Sequence, residues 1–140
     1  MISPALHGVG RVLLALYFLV PGIMKIPGWE DTVAMVARHN VPFPDGAVGI
    51  SIVVNIIGAL LLIANRHVRF TALGFVAYTL IVNALLHDFW NFDGIEAAHE
   101  MQNFSKNLGI VAGLLVLAGS SARRSLDVRT LLQRDPPLVA

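Results

Sequence analysis

The stretch VGISIVVNIIGALLLIA-NRHVR-FTALGFVAYTLIVNALL, residues 48–86, decides the fold of this 140-residue chain. It consists of two uncharged apolar runs, 48–64 and 70–86, joined by a short basic loop. Each run approaches the roughly 20 helical residues that cross a hydrocarbon core about 30 Å thick. Inside a bilayer such a run must be helical, because lipid offers no partner for free backbone amides. The stretch therefore predicts a transmembrane helical hairpin.

The composition of the whole chain favours a membrane protein. Charged residues make up only 14% of the chain and hydrophobic residues 56%, with a mean hydropathy of +0.70. A soluble domain usually has about a quarter charged residues, and a globule of this size cannot bury so much apolar side chain. The absence of cysteine excludes disulfides, thiolate metal sites and iron–sulfur clusters. The net charge of +1 gives no indication of a nucleic-acid partner.

Two further apolar runs flank the hairpin. The first lies at 6–24, is interrupted only by Arg11, and lacks the basic start of a cleaved signal, so we expect it to be retained. The last, 108–119, gives only about 18 Å of helix, so its helix should extend upstream to about residue 102. We predict an all-α membrane protein with a bundle of four transmembrane helices. The spans lie at about 6–24, 48–64, 70–86 and 102–119 in a domain of residues 1–121, and a basic tail follows at 122–140.

The distribution of basic residues predicts the orientation. Arg66 and Arg69 lie in the loop of the hairpin, and further arginines lie in the tail. With four spans, this loop and both termini share one side, which the positive-inside rule makes the cytoplasm. We therefore expect a multi-pass protein of the bacterial inner membrane with both termini cytoplasmic. In the first outer connection, the spacing of apolar residues at 29–38 predicts a short interfacial helix.

Polar residues occur near the outer end of every predicted span. The upstream extension of the last span places Asn103, Lys106 and Asn107 at membrane depth, where such groups should face the bundle interior or a wet cavity. Because the outer ends lie at one level, we expect the polar residues of all four spans to converge. The candidate ligand-binding residues are Lys25, Asn55, Asn83, His87, Trp90, Asn103, Lys106 and Asn107, with Trp90 at the rim. A positive field there suits an anionic or carbonyl-bearing ligand such as a quinone head group.

Plainer interpretations of these residues stay open. Lys25 and Trp90 fit interfacial anchors, and Asn83 and Asn107 fit hydrogen bonds between helices. His87 fits either a proton carrier or a histidine hydrogen-bonded at the interface.

Two other features predict structural roles. Arg11 lies near the cytoplasmic end, where a charge pair or an extension to the lipid head groups explains it. The acidic outer loop contains His99 and Glu100, but asparagine stands at residue 103, where a His-Glu-x-x-His site needs its second histidine. We predict no metal site there.

Several short motifs, in their order along the chain, resemble those of DoxX-family membrane proteins. They are Gly10-Arg11 followed by Phe18, Gly22-Ile-Met-Lys25, His87-Asp-Phe-Trp90, Phe104-Ser-Lys-Asn-Leu108 and Gly113-Leu-Leu. The resemblance covers roughly residues 8–117 and implies a four-helix inner-membrane protein. It also implies a link to quinone-coupled oxidation of sulfur compounds or to membrane oxidoreductase complexes that handle oxidative stress. The family often has a glutamate in its second helix where this chain has Asn55.

The first functional hypothesis is a subunit or accessory of a membrane oxidoreductase system. It would have no intrinsic cofactor, with quinone as the candidate ligand. Membrane lipid, a membrane or cytoplasmic protein, and a second copy of the chain are candidate partners. The alternative is a non-enzymatic scaffold or assembly factor. A small-solute transporter ranks below both, because we find no broken helices or inverted repeats. Whether the protein is an enzyme stays open.

Overall fold

A computed structural model of the protein describes residues 3–124, 130 and 132–136. The regular secondary structure of this part of the chain is all helical, and loops join the helices. The helices are α1 (Pro4–Met24), α2 (Trp29–Arg38), α3 (Pro44–Ile63), α4 (Val68–Leu86) and α5 (Gly94–Ser120), and a short 3₁₀ turn, Phe89–Asn91, lies between α4 and α5.

Three segments are long and apolar enough to cross a membrane. They are Pro4–Met24, Pro44–Ile63 and Val68–Asn91. Their outward faces present large apolar side chains, among them Leu13 and Ile57. Since water would not tolerate so much exposed apolar surface, these faces contact lipid. The prediction of an all-helical membrane protein is confirmed to this extent.

The predicted upstream extension of the last helix is confirmed, and it is longer than expected. Helix α5 begins at Gly94, eight residues before 102, and has 27 residues. At 1.5 Å per residue it is about 40 Å long. Its first half is too polar for α5 to qualify as a span by hydropathy, although its length is sufficient.

The core of the bundle forms where the helices contact each other through small residues and aromatic rings. Helix α1 packs mainly on α3, and α4 mainly on α5. The rings of Phe18 and Phe75 stack in parallel, 3.9 Å between centroids. Gly58 faces the Phe75 ring so closely that an added Cβ would lie 2.5 Å from it. Gly22 similarly lets α1 approach Asn55, because a Cβ added at residue 22 would lie 2.8 Å from the Cβ of Asn55. These contacts fix the distances between α1, α3 and α4.

The short helix predicted between the first and second apolar runs is present as α2, Trp29–Arg38. It packs against α3, with Val36 buried and the Trp29 ring beside Gly49. At the end of α2, His39 Nδ1 lies 2.9 Å from Asp88 Oδ1. This contact ties the first connection to the segment after α4.

The described part of the tail folds back onto the loop between α3 and α4. Asp135 is buried there, and its carboxylate accepts hydrogen bonds from the backbone amides of His67 (3.2 Å) and Val68 (2.8 Å). Arg124 donates to the same carboxylate at 3.2 Å, and Asn65 forms two further hydrogen bonds with the Asp135 backbone. Asp135 thus satisfies amides at the start of α4 that a helix leaves free. We call this region the basic end, after Arg66, Arg69, Arg123, Arg124 and Arg134.

Replacement of Asp135 tests this capping contact. We expect Asp135→Ala to lower the free energy of unfolding by about 1–2 kcal/mol, the usual cost of losing a helix cap. Asp135→Asn keeps an acceptor oxygen and should retain most of the stability. The measurement is denaturation followed by circular dichroism in mild detergent, with Arg134→Ala as the control in the same segment. Equal stability of the Asp135→Ala and control proteins would contradict the capping role.

Candidate functional site

A cavity of about 170 Å³ opens between α1, α3, α4 and α5, at the end of the bundle opposite the basic end. The structure brings six of the eight residues of the predicted set to its wall: Lys25, Asn55, His87, Asn103, Lys106 and Asn107. They lie in α3 and α5 and directly after the ends of α1 and α4, and they are up to 82 positions apart in the chain. The convergence expected from the sequence is therefore present, while ligand binding at the cavity stays a prediction.

The other two residues of the set lie outside the cavity. Asn83 is buried behind the wall, where its amide donates to the Phe104 carbonyl at 3.1 Å. Trp90 is 57% exposed and packs edge-on against Phe89 and Phe104. Helix α4 ends at Leu86 and Trp90 lies in the 3₁₀ turn, so Trp90 does not continue the face of α4.

Asn107, in the cavity wall, is the centre of a hydrogen-bond network that extends to the buried Asn83. Its Oδ1 accepts from the Tyr17 hydroxyl at 2.7 Å, and its Nδ2 donates to Asn83 Oδ1 at 2.8 Å. The three side chains belong to α1, α4 and α5, so the network links three helices. Satisfied networks of this kind give a site a fixed geometry. For Asn83 and Asn107, the interpretation as interhelical hydrogen bonds matches these contacts.

Two buried oxygens in the cavity wall have no partner. Asn55 and Thr79 are 2% and 3% exposed, and neither Asn55 Oδ1 nor Thr79 Oγ1 has a hydrogen-bond partner among the described residues. The Tyr78 hydroxyl lies near the Asn55 amide without satisfying Oδ1. Because an unsatisfied buried polar group costs about 1–3 kcal/mol, such groups indicate a missing partner, such as water or a polar ligand.

The charges of the cavity wall are positive. Lys25 and Lys106 line the cavity, and none of the described residues that line it is acidic. Lys106 Nζ donates to Asn103 Oδ1 at 3.0 Å, a neutral partner that leaves the ammonium charge uncompensated. The field therefore favours an anion or the oxygen end of a polar molecule.

His87 is held at the cavity by a carboxylate on the next helix. Its Nδ1 lies 2.6 Å from Glu100 Oε2, so the ring N–H donates to the carboxylate. This contact orients the imidazole and fixes the hydrogen on Nδ1 when the ring is neutral.

Four residues at or next to the cavity were not predicted from the sequence: Tyr17, Tyr78, Thr79 and Glu100. The two tyrosines and Thr79 line the cavity, but they lie within apolar runs that we interpreted only as membrane spans. A usable signal was present, because Tyr17 shares a helical face with Lys25 at a spacing of two i, i+4 steps. Glu100 was grouped with the acidic loop, although it lies inside α5.

Arg11 lies at the basic end, away from this cavity. Its guanidinium donates to the carbonyls of Leu62 and Ile63, so it caps the end of α3, where the helix dipole attracts a cation. Its direct contacts are with main-chain carbonyls, and no ion pair of Arg11 occurs within the described ranges. These contacts are compatible with a structural role for Arg11 as a cap of α3, and that role stays a prediction.

The position of Arg11 also indicates which cation a glutamate would face if it stood at residue 55 in place of the asparagine. Asn55 is seven residues from Leu62, or about 10 Å along α3, and it packs on Gly22. A glutamate at residue 55 would therefore lie near Lys25 and not near Arg11.

No group of three or more histidine, aspartate or glutamate residues arranged to hold a metal ion occurs in the part of the chain that the structure describes. His87 and His39 instead contact one carboxylate each, Glu100 and Asp88. These two histidines thus form pairwise contacts between segments.

Comparison with known proteins identifies the family. A sequence profile of the DoxX family matches residues 7–88. Inner membrane protein YphA of Escherichia coli K12 is 31% identical over 115 residues, which cover 82% of each chain. No solved structure matches the chain. The profile spans more than half of the sequence. The match to the relative, an inner-membrane protein, covers most of both chains. The chain therefore belongs to the DoxX family of inner-membrane proteins.

Proposed function

We propose that this DoxX-family protein binds a small anionic or quinone-like molecule in its polar cavity, as a subunit or accessory of a membrane oxidoreductase system. One observation carries the proposal. The unpartnered oxygens of Asn55 and Thr79 and the ammonium groups of Lys25 and Lys106 belong to the wall of one cavity. Such a wall offers both donors and acceptors to a ligand.

The chemistry of the wall matches a quinone head group in both redox states. The carbonyl oxygens of a quinone would accept hydrogen bonds from the lysines or the Thr79 hydroxyl. The hydroxyls of a quinol could in addition donate to Asn55 Oδ1. The cavity, about 170 Å³, is smaller than the roughly 300–1,000 Å³ of pockets for drug-sized ligands. It therefore suits a single ring whose apolar tail extends into the lipid.

His87 would exchange protons with this ligand. Its Nδ1 is engaged by Glu100, which leaves Nε2 as the nitrogen available to the cavity. Because imidazole gains and loses a proton near neutral pH, it suits the uptake or release that accompanies quinone chemistry. Glu100 would act as a positioning residue. The electrons would pass to or from a partner protein of the oxidoreductase system.

We further propose that α5 is the fourth membrane span. Helix α5 packs along α4, and its 27 residues give about 40 Å of helix. In this topology the basic end faces the cytoplasm with both termini, by the positive-inside rule, and the cavity opens outward. Lipid surrounds the bundle, and a membrane or cytoplasmic protein and a second copy of the chain are candidate partners.

Ligand capture tests the proposed function. We expect native mass spectrometry of the detergent-purified protein to detect a bound small molecule, and ubiquinone-1 to bind to the emptied protein. Lys106→Ala and Asn55→Leu should each weaken that binding by about tenfold, which corresponds to the loss of one good polar contact. Arg38→Ala is the control, because Arg38 is an exposed cation on α2 that does not line the cavity.

Two outcomes would contradict this proposal. One is a preparation without bound ligand and without affinity for ubiquinone-1 or small anions. The other is equal weakening by Arg38→Ala and Lys106→Ala, which would indicate a general surface charge effect. Either outcome would favour the non-enzymatic scaffold hypothesis.

A further inference from the structure

A second cavity, also of about 170 Å³, lies at the basic end of the bundle. The start of α1, the end of α5 and the docked tail form its wall. The residues that matter for its chemistry are His7, Gly8, Arg11, Asn65, Ser121 and Asp135. It shares no lining residue with the cavity described above, so its role is independent of the proposed function.

Two nitrogen atoms of this wall are buried without a partner. They are Arg11 Nε and His7 Nε2, and neither has a hydrogen-bond partner among the described residues. The other side of the guanidinium is already engaged, because Arg11 Nη1 donates to the carbonyls at the end of α3. The free Nε–H of an arginine is always a donor. A ligand that contacts this nitrogen from the cavity would therefore have to offer it an acceptor oxygen.

The carboxylate of Asp135 does not fill this need. Its two oxygens accept from the backbone amides of His67 and Val68 and from Arg124. Its negative charge is thus matched by an arginine and by the start of α4. The remaining charge at the basic end is positive, since Arg66, Arg69 and Arg123 add to that of Arg11.

We propose that this cavity binds a phosphate group. Arginine is suited to phosphate because its planar N–H groups match the phosphate oxygens. A second hydrogen bond would come from His7, and the hydroxyl of Ser121 and the amide of Asn65 lie in the same wall. The surrounding arginines would raise the local concentration of anions. The phosphate can belong to the head group of an anionic lipid at the membrane surface or to a soluble phosphate.

Filling the cavity tests the proposal without removing any polar group. Gly8 lines the cavity, and an added Cβ there meets no atom within 4 Å. Gly8→Leu should occupy the space while improving the helix propensity of α1. Gly10→Leu is the matched control, since Gly10 lies on the same helix, is equally open, and does not line the cavity.

The experiment titrates full-length protein in nonionic detergent with two probes, inorganic phosphate and dioctanoyl-phosphatidylglycerol. Dioctanoylglycerol, which lacks the phosphate, serves as the negative probe. We expect wild-type protein to bind one or both phosphate probes, Gly8→Leu to weaken this binding by about tenfold or more, and Gly10→Leu to change it less than about twofold. His7→Leu, which removes one donor, should also weaken it. Binding of the lipid alone identifies a head-group site, and binding of inorganic phosphate identifies a soluble ligand.

The proposal fails if wild-type protein binds neither phosphate probe. It also fails if dioctanoylglycerol binds with the same affinity as dioctanoyl-phosphatidylglycerol. A third contradicting result is equal affinity of the Gly8→Leu and Gly10→Leu proteins for the phosphate probes. If Gly8→Leu does not fold, His7→Leu decides, with Arg38→Ala as its control, because Arg38 is an exposed cation on α2 that does not line this cavity. Unchanged phosphate binding by His7→Leu would then overturn the proposal.

Discussion

Gly58→Leu is expected to lower the free energy of unfolding by about 3 kcal/mol, at the upper end of overpacking costs in a filled core. The Phe75 ring occupies the space in front of Gly58, 2.5 Å from where a Cβ would lie. The ring has no room to withdraw, because it is 2% exposed and stacks on Phe18 across the bundle. A leucine at residue 58 must therefore separate α3 from α4 or displace the stacked rings.

The control for this variant is Gly74→Leu on α4. Gly74 is exposed, and a Cβ there meets no atom within 4 Å, so the added side chain would face lipid. We expect its effect to stay within about 0.5 kcal/mol, as for surface substitutions. The measurement is unfolding in sodium dodecyl sulfate, followed by helical circular dichroism. Similar destabilisation of the two proteins would show that the contact between Gly58 and Phe75 does not hold α3 against α4.

The sequence predicts the membrane helices well, because hydrocarbon imposes a length and a helical backbone on every span. The predicted 48–64 and 70–86 correspond to α3 (Pro44–Ile63) and α4 (Val68–Leu86). The predicted helix boundaries differ more from the structure where polar residues form part of a helix. The sequence predicts a loop in the acidic segment, but helix α5 already begins there, at Gly94. Polar residues can be helical outside the hydrocarbon core, so their polarity does not mark the end of a helix.

Convergence of polar side chains in the cavity was predictable for a related reason. A lysine or asparagine in a membrane segment must face the bundle interior, and this constraint brought Lys25, Asn55 and Lys106 into one candidate set. Hydrophobicity alone could not identify Tyr17 or Tyr78, since a tyrosine ring is compatible with lipid and its hydroxyl matters only when a partner is known.

Contacts between distant loops were beyond sequence reasoning. Asp135 reaches the amides of His67 and Val68 across more than 65 residues, and no helical or strand period relates these positions. The pairing of His87 with Glu100 was likewise hidden, because it depends on where α4 ends and α5 begins. Such contacts depend on the tertiary fold and not on a local pattern.

The second large effect is expected for Asn107→Leu, which removes the centre of the amide network at the cavity wall. The substitution leaves Asn83 Oδ1 without its donor and the Tyr17 hydroxyl without its acceptor. Asn83 is 2% exposed, so water cannot easily replace the lost partner. We expect a loss of about 2 kcal/mol in the free energy of unfolding, within the range for unsatisfied buried groups. Asn103→Leu, which removes an amide that accepts from the exposed Lys106, should cost less than about 0.5 kcal/mol.

A double-mutant cycle separates the network from simple packing. If the cost of Asn107→Leu arises from the stranded oxygen of Asn83, then Asn83→Leu in the same protein should add little, because both partners become apolar together. We expect an interaction energy of about 1 kcal/mol between the two positions, measured by the same detergent unfolding. Additive losses would show that the asparagines act independently, and the geometry of the cavity wall would then not depend on their hydrogen bond. A coupled result would mean that the hydrogen bond between the two asparagines holds α4 against α5.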